Sequence, residues 1–240
     1  MQSEVISKFK SGVIMKEKFS KDLKIFLNYR RVKEIKRCNN FSVIHVEDVA
    51  QHSFYTALYA MYIASEYNKN VGAYNMQFHH YDCDNPKQTF NVDEVVRRAL
   101  VHDLEESFTS DIPYNVKHHS EEANAIIKSV VKSKMEELFE GANDINLDIL
   151  NTSMNDKAGF DGKLIAVVDM LELAIYSSEE VYQGNRCMQP MLDKCVRLIE
   201  SYDIYEDLVE FSPTFKELME MLHGEEDSLA EAYGSMIDIS

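Results

Sequence analysis

The chain has 240 residues, 45% hydrophobic and 10% aromatic, enough apolar side chain for one large buried core or two small ones. With 41 acidic against 25 basic residues its formal charge is −16, so nucleic-acid backbones and anionic membranes are repelled. A small phosphate substrate is still permitted, because a bound cation and one or two arginines reverse the sign inside a pocket.

Only eight glycines and four prolines punctuate the chain, which favours long helices over many short strands. The first forty residues are basic and amphipathic. Val13, Phe19, Leu23, Phe26, Leu27, Val32 and Ile35 form a helical stripe, predicting one helix that begins at or before Ser20. The run RRVKEIKR ends on Arg37, just before the polar turn Cys38-Asn39-Asn40, and as a charge run it reads as a solvated face. A short extended piece is expected over 41–46. A second helix follows, with Glu47 or Asp48 near its N-terminus and Val49, Tyr55, Leu58, Tyr59, Tyr62 and Ile63 as its core face. His52, near its start, is either a hydrogen-bonded core residue or a ligand. Residues 68–91 lack a clear period, contain Gly72 and Pro86, and are expected to form a loop or insertion. His79, His80, Asp82 and Cys83 within it have no regular ligand spacing.

The stretch 97–117, RRALVHDLEESFTSDIPYNVK, is the richest in chemistry. Its upstream half is a predicted helix, with Asn91 as cap, Glu94 at the capping-box position, and Val95, Val96, Ala99 and Leu100 as stripe. In a continuous helix His102 and Glu106 share a face, whereas His102 and Asp103 diverge by about 100° and serve one ion only if it lies between them. An imidazole and a carboxylate suit a divalent cation, and a nearby carboxylate suits a water-activating base. An amphipathic helix with a polar end accounts for the same residues without chemistry. Asp111 follows, just before Pro113.

Ser120 caps the next predicted helix, which Gly141 ends, and a shorter one spans Ile145 to Met154. The helix from Leu164 to Gln183 is the most apolar. Asp169 within it either faces solvent beside Glu172 or is buried, in which case a cation or hydrogen bonds must neutralise it. Gly184 closes this helix, Pro190 opens another, Pro213 precedes a third, and the tail from Gly224 is acidic and weakly patterned. No repeat or linker divides residues 1–240, so one all-α domain is expected. The cysteines (Cys38, Cys83, Cys187, Cys195) show no CxxC spacing, the first nineteen residues lack a secretory core, and no run approaches the ~18 apolar residues of a membrane span. A reduced, cytoplasmic protein is the expectation.

His52, the His102-Asp103 pair and Asp169 thus fall on three predicted helices in the order H…HD…D. That order resembles the HD-domain metal-dependent phosphohydrolases. VEDVAQHS and HDLEESFTSDIP resemble the E-x-V-x-E-H-S and H-D-x-x-E-x-x-x-x-D-x-P patterns of their bacterial 5'-deoxynucleotidase branch. The resemblance spans residues 30–185 and implies an all-α bundle that hydrolyses nucleoside 5'-monophosphates. It implies His52, His102, Asp103 and Asp169 as ligands of a divalent metal ion, with Mn, Co, Fe, Zn and Mg all open. It further implies Glu106 as the residue that orients or deprotonates the attacking water, Asp111 at the sugar or leaving oxygen, Arg37 on the phosphate, and a homodimer. Three positions depart from the pattern: Cys38 replaces a large aromatic residue, Gln51 a glutamate, and Ala166 a lysine three residues before the last aspartate. Two further readings are a dNTP triphosphohydrolase or nucleotide pyrophosphatase of the same fold, and a non-catalytic HD-fold sensing or interaction module.

Overall fold

The computed structural model describes residues 19–78, 86–110, 112, 119–224, 231 and 233–234. The fold is all-helical. In chain order the helices are α1 (Lys21–Asn28), a 3₁₀ turn (Tyr29–Glu34), α2 (Val49–Phe78), α3 (Val92–Val101), α4 (Glu106–Thr109), α5 (Glu121–Phe139), α6 (Asp144–Met154), α7 (Gly159–Tyr182), a 3₁₀ turn (Arg186–Met188), α8 (Gln189–Glu200), α9 (Tyr205–Phe211) and α10 (Pro213–His223).

Local signals set most starts. Ser20, Asn91, Ser120, Asn143 and Ser212 each accept the backbone N–H three residues on, the N-cap bond that short oxygen-bearing side chains favour. Asp48 and Gln51 bond reciprocally at the head of α2, 3.1 and 2.9 Å, so Gln51 serves as the far half of a capping box. Gly184, at φ +96°, ends α7 in the left-handed conformation that glycine adopts without strain.

The helix α7 is the central strut. Leu164, Ile165, Val167, Val168, Leu171 and Ala174 along it are fully buried, against α2, α3 and α8. An aromatic cluster closes one end: Phe90 stacks on Phe160 at 4.6 Å, and Tyr67 packs on Phe90 at 4.7 Å. A smaller cluster of Ile25, Met135, Phe139 and Leu150 joins α1, α5 and α6.

Four expectations need correction. Ser20 caps a helix, but that helix tightens into a 3₁₀ turn after Asn28 instead of running on to Ile35; Val13 of the predicted stripe lies outside the described residues. No strand forms over 41–46; only Lys36 and Asp48 make an isolated antiparallel bridge, and the loop is held by Glu180, which accepts from the Ile44 and His45 amides at 2.7 and 2.6 Å. Residues 68–78, read as the start of a loop, continue α2. Asn68 and Asn75 there form paired bonds with the backbones of Phe90 and Lys87, 2.8 and 3.0 Å, so they brace the helix against the returning chain. The α2 core face is also different: Val49 and Ile63 are buried, but Tyr55, Leu58 and Tyr62 are exposed. Ser53, Thr56, Ala57, Ala60 and Ala64 take the inner positions, because small side chains let α2 approach its neighbours closely.

Candidate active site

Three helices bring the four implied ligands together. His52 lies in the first turn of α2, His102 and Asp103 just beyond α3, and Asp169 in the middle of α7. His52 Nε2 is 3.1 Å from His102 Nε2, 3.2 Å from Asp169 Oδ1 and 3.6 Å from Asp103 Oδ2. His102 Nε2 is 3.3 Å from Asp103 Oδ2 and 3.8 Å from Asp169 Oδ1. An ion about 2.1 Å from each donor would set neighbouring donors roughly 3.0 Å apart in an octahedron and roughly 3.4 Å apart in a tetrahedron. The observed separations, 3.1 to 3.8 Å, straddle the tetrahedral value and begin just above the octahedral one.

The outward ring nitrogens identify which way each imidazole faces. His102 Nδ1 donates to the Ala99 carbonyl at 2.7 Å, and His52 Nδ1 pairs with the Glu172 carboxylate. With each Nδ1 hydrogen so engaged, a ring in its neutral form turns its Nε2 lone pair toward the other ring and toward two carboxylates. Four acceptors packed together in the interior, with His52 wholly buried, repel one another unless a positive charge lies among them. A divalent ion would supply that charge, and neutral imidazole and carboxylate are donors it accepts. A carboxylate or carbonyl behind each ligating histidine is also the usual support of such rings.

Without an ion, a proton is drawn to the same place. Burial alone would lower the His102 pKa, but Asp103 and Asp169 outweigh it and hold the ring pKa well above its ordinary value. Burial alone would raise Asp103 and Asp169. His102 and Arg37 overcome it for the first, and Lys157 with the two histidines for the second, so both stay below the usual carboxylate range. Glu47 is different: burial and the adjacent Glu172 push its carboxyl up to about 9.

Arg37 reaches this cluster through the bridge that pairs it with the head of α2. Its N–H donates to the Glu47 carbonyl at 3.0 Å, and its guanidinium donates to Asp103 Oδ2 at 3.0 Å. Burial would lower its pKa, yet Asp103, Asp169, Glu172 and Glu106 together raise it, so the site always presents a cation here. Glu106, 4% exposed, opens α4. The expected continuous helix breaks between them: Glu106 donates its N–H to Asp103 at 3.1 Å and Leu104 to Val101 at 3.0 Å, both three residues back. Three-residue winding sets Glu106 over Asp103 instead of over His102.

Asp111, and with it the cluster His79, His80, Asp82 and Cys83, lies outside the described residues. Among the described residues, the two non-glycine positions of positive φ flank the site in sequence: Cys38 (φ +50°) follows Arg37, and Ser110 (φ +64°) precedes Asp111. Three neighbours have no part in the site on sequence grounds: Glu47 reads only as a helix-start acid, Glu172 only as a companion of Asp169 on a solvent face, and Lys157 not at all. Glu172 is 3% exposed, buried beside Asp169 instead of sharing a solvent face with it. Glu47 sits between Glu172 and Arg37, with its carboxylate 3.9 Å from Arg37 Nε. Lys157 donates to Asp169 Oδ2 at 2.8 Å. Only Glu172 carried a signal, its i+3 spacing from Asp169.

Residues 24–219 match the protein family described as 5'-deoxynucleotidase YfbR-like. The chain is 24% identical over 195 residues to the 5'-deoxynucleotidase YfbR of Salmonella typhi, which covers 79% of this chain and 90% of that protein. The Salmonella arizonae counterpart is 23% identical over the same extent. Among solved structures, an HD-domain phosphohydrolase from Listeria innocua superimposes with a TM-score of 0.66 at 19% identity, covering 90% of this chain and 97% of that one. A conserved protein from Pyrococcus furiosus gives 0.51 at 18% identity, covering 82% and 98%.

Proposed function

Because the chain belongs to the YfbR-like family of HD-domain phosphohydrolases, we propose that it removes the 5'-phosphate from nucleoside monophosphates, deoxy forms included. The observation that carries this reading is the convergence of His52, His102, Asp103 and Asp169, with both Nδ1 hydrogens turned away from the cluster. These four would hold a divalent ion, which when bound lowers the pKa of water and draws charge from a phosphate oxygen.

The remaining steps fall to the chain's own groups. Arg37, anchored on Asp103, offers its remaining N–H donors to the phosphate and offsets charge as the ester bond breaks. Glu106 accepts the proton of the attacking water, since bulk solvent seldom reaches a buried carboxylate one turn from Asp103 to compete with that water for it. Asp111 contacts the sugar or the leaving oxygen, where a proton is needed as the nucleoside departs. Burial of the cluster under α2, α3 and α7 excludes bulk water and strengthens each of these interactions. The outward face of α2, with Phe54, Tyr55, Leu58, Met61 and Tyr62 exposed, supports the homodimer as part of this reading, and sedimentation velocity tests it.

The test of activity is a panel of nucleoside mono- and triphosphates with the phosphorus product identified. Orthophosphate from monophosphates supports the proposal. Pyrophosphate or tripolyphosphate from triphosphates alone, or nucleotide binding without turnover, would replace it.

A further inference from the structure

The Asp169 carboxylate is divided between two environments. Oδ1 faces the imidazoles, 3.2 Å from His52 Nε2 and 3.8 Å from His102 Nε2, while Oδ2 accepts from Lys157 Nζ at 2.8 Å. Arg37 stands differently toward Asp103, because it donates to Oδ2, the same oxygen that lies nearest the histidines. Lys157 alone of the two cations takes an oxygen turned away from the cluster.

Lys157 comes from the turn between α6 and α7, and that turn is held from both sides. Arg98 on α3, itself paired with Glu94 at 2.7 Å, donates to the carbonyls of Asp156 and Ala158 at 3.3 and 2.5 Å. On the other side Gly162 lets α7 ride directly on the Lys157 backbone: a Cβ there would stand 2.1 Å from the Lys157 carbonyl carbon. A lysine that merely decorated the surface would need neither support. Its side chain is 48% exposed, against 8% for Asp169, so it spans from solvent to the buried carboxylate. Helix α7 itself has no lysine three residues before Asp169, where Ala166 stands.

We propose that Lys157 is a positioning residue for Asp169: it holds Oδ2, restricts the carboxylate to one-oxygen ligation through Oδ1, and so keeps a place on the ion open for water or phosphate. Two-oxygen ligation is an ordinary alternative for a carboxylate and would consume that place. The inference rests on the function proposed above.

The test uses the full chain with Co²⁺ as the probe, comparing Lys157→Met and Lys157→Arg with the unmodified protein. Removing one positive charge that is hydrogen-bonded to a carboxylate proposed to hold the ion, and borne on a side chain half exposed to water, tightens binding on the order of tenfold. Lys157→Met is therefore expected to bind Co²⁺ about tenfold more tightly by chelator competition. Its visible absorption should weaken as the second oxygen joins and coordination number rises, and kcat should fall about 10–100-fold. Lys157→Arg, which keeps the charge and the donor, should restore the spectrum. A Lys157→Met protein with unchanged Co²⁺ affinity, spectrum and kcat would overturn the assignment. So would one that loses Co²⁺ together with thermal stability, since that marks a purely structural ion pair. If the unmodified protein binds Co²⁺ but turns over no nucleotide, the proposed function fails, while the affinity and spectral comparison still decides the role of Lys157.

Discussion

Glu172→Ala should weaken metal binding about 10–100-fold without removing any of the four converging donors. The reasoning starts from burial: His52 is 0% exposed and Glu172 3% exposed, so no water is available to take the place of the lost carboxylate. The His52 Nδ1–H would be left as an unsatisfied buried donor, at a cost of about 1–3 kcal/mol. That corresponds to roughly 5–150-fold in an equilibrium constant if the cost falls on the orientation the ion requires. Loss of the carboxylate also weakens the imidazole as a donor, in the same direction. Glu172→Gln keeps an acceptor for the N–H and removes only the charge, so it should lose less than about tenfold. His102 provides an internal control, because its Nδ1 is held by the Ala99 carbonyl, which no side-chain substitution removes. The assay is metal dissociation by competition with a chelator of known affinity, alongside thermal unfolding of the metal-free proteins. A Glu172→Ala protein that stays folded and keeps its metal Kd within twofold would refute the idea that Glu172 sets the His52 ring.

Glu106→Gln should retain metal and nucleotide binding but lose about 10²–10⁴-fold in kcat, measured by orthophosphate release, because its proposed task is proton acceptance and not ligation; loss of the ion instead would put Glu106 among the ligands. Metal affinity should fall with pH. The metal-free fold raises the His102 pKa and so holds a proton that the ion must displace; below that raised pKa, binding should weaken by up to about tenfold per pH unit lowered, and above it affinity should level off. Calorimetry in buffers of differing ionisation enthalpy counts the released protons. Glu47 acts with the opposite sign from a salt-bridged carboxylate: its carboxyl, raised to about 9, costs stability progressively as pH climbs from its ordinary value toward 9. Glu47→Gln should flatten that part of the thermal-stability profile, and an unchanged slope would contradict the burial argument. With Cys38 packed against the core where an aromatic ring is common, discrimination of dAMP over AMP in kcat/KM should stay below about tenfold.

The convergence of His52, His102, Asp103 and Asp169 was legible because such side chains are rarely placed on apolar helix faces without reason, and their order along the chain is distinctive. Asp169 announced itself by standing amid Val167, Val168, Met170 and Leu171. The α2 errors have a common physical source. Its buried side is built from Ser53, Thr56, Ala57, Ala60 and Ala64, while the larger Tyr55, Leu58 and Tyr62 point outward, so side-chain size misled the assignment of its face. Its extension to Phe78 was hidden by Gly72 and by the polar Asn68 and Asn75, although the stripe Tyr67, Val71, Tyr74 continues beneath them. Lys157 gave no local sign at all, since its meaning depends on a turn folding back onto α7. The break after Val101 was equally silent: the apolar pattern runs through it, and only the three-residue hydrogen bonds reveal where the helix tightens.

The most direct test of the account is to strip the protein with chelator and titrate a single divalent metal back while following dAMP hydrolysis. Turnover should be absent in the stripped protein, return in proportion to bound ion, saturate near one ion per chain, and yield orthophosphate and deoxyadenosine. His102→Ala and Asp103→Ala should neither bind the ion nor recover. Hydrolysis that survives stripping, or full occupancy by the ion in both variants, would contradict it.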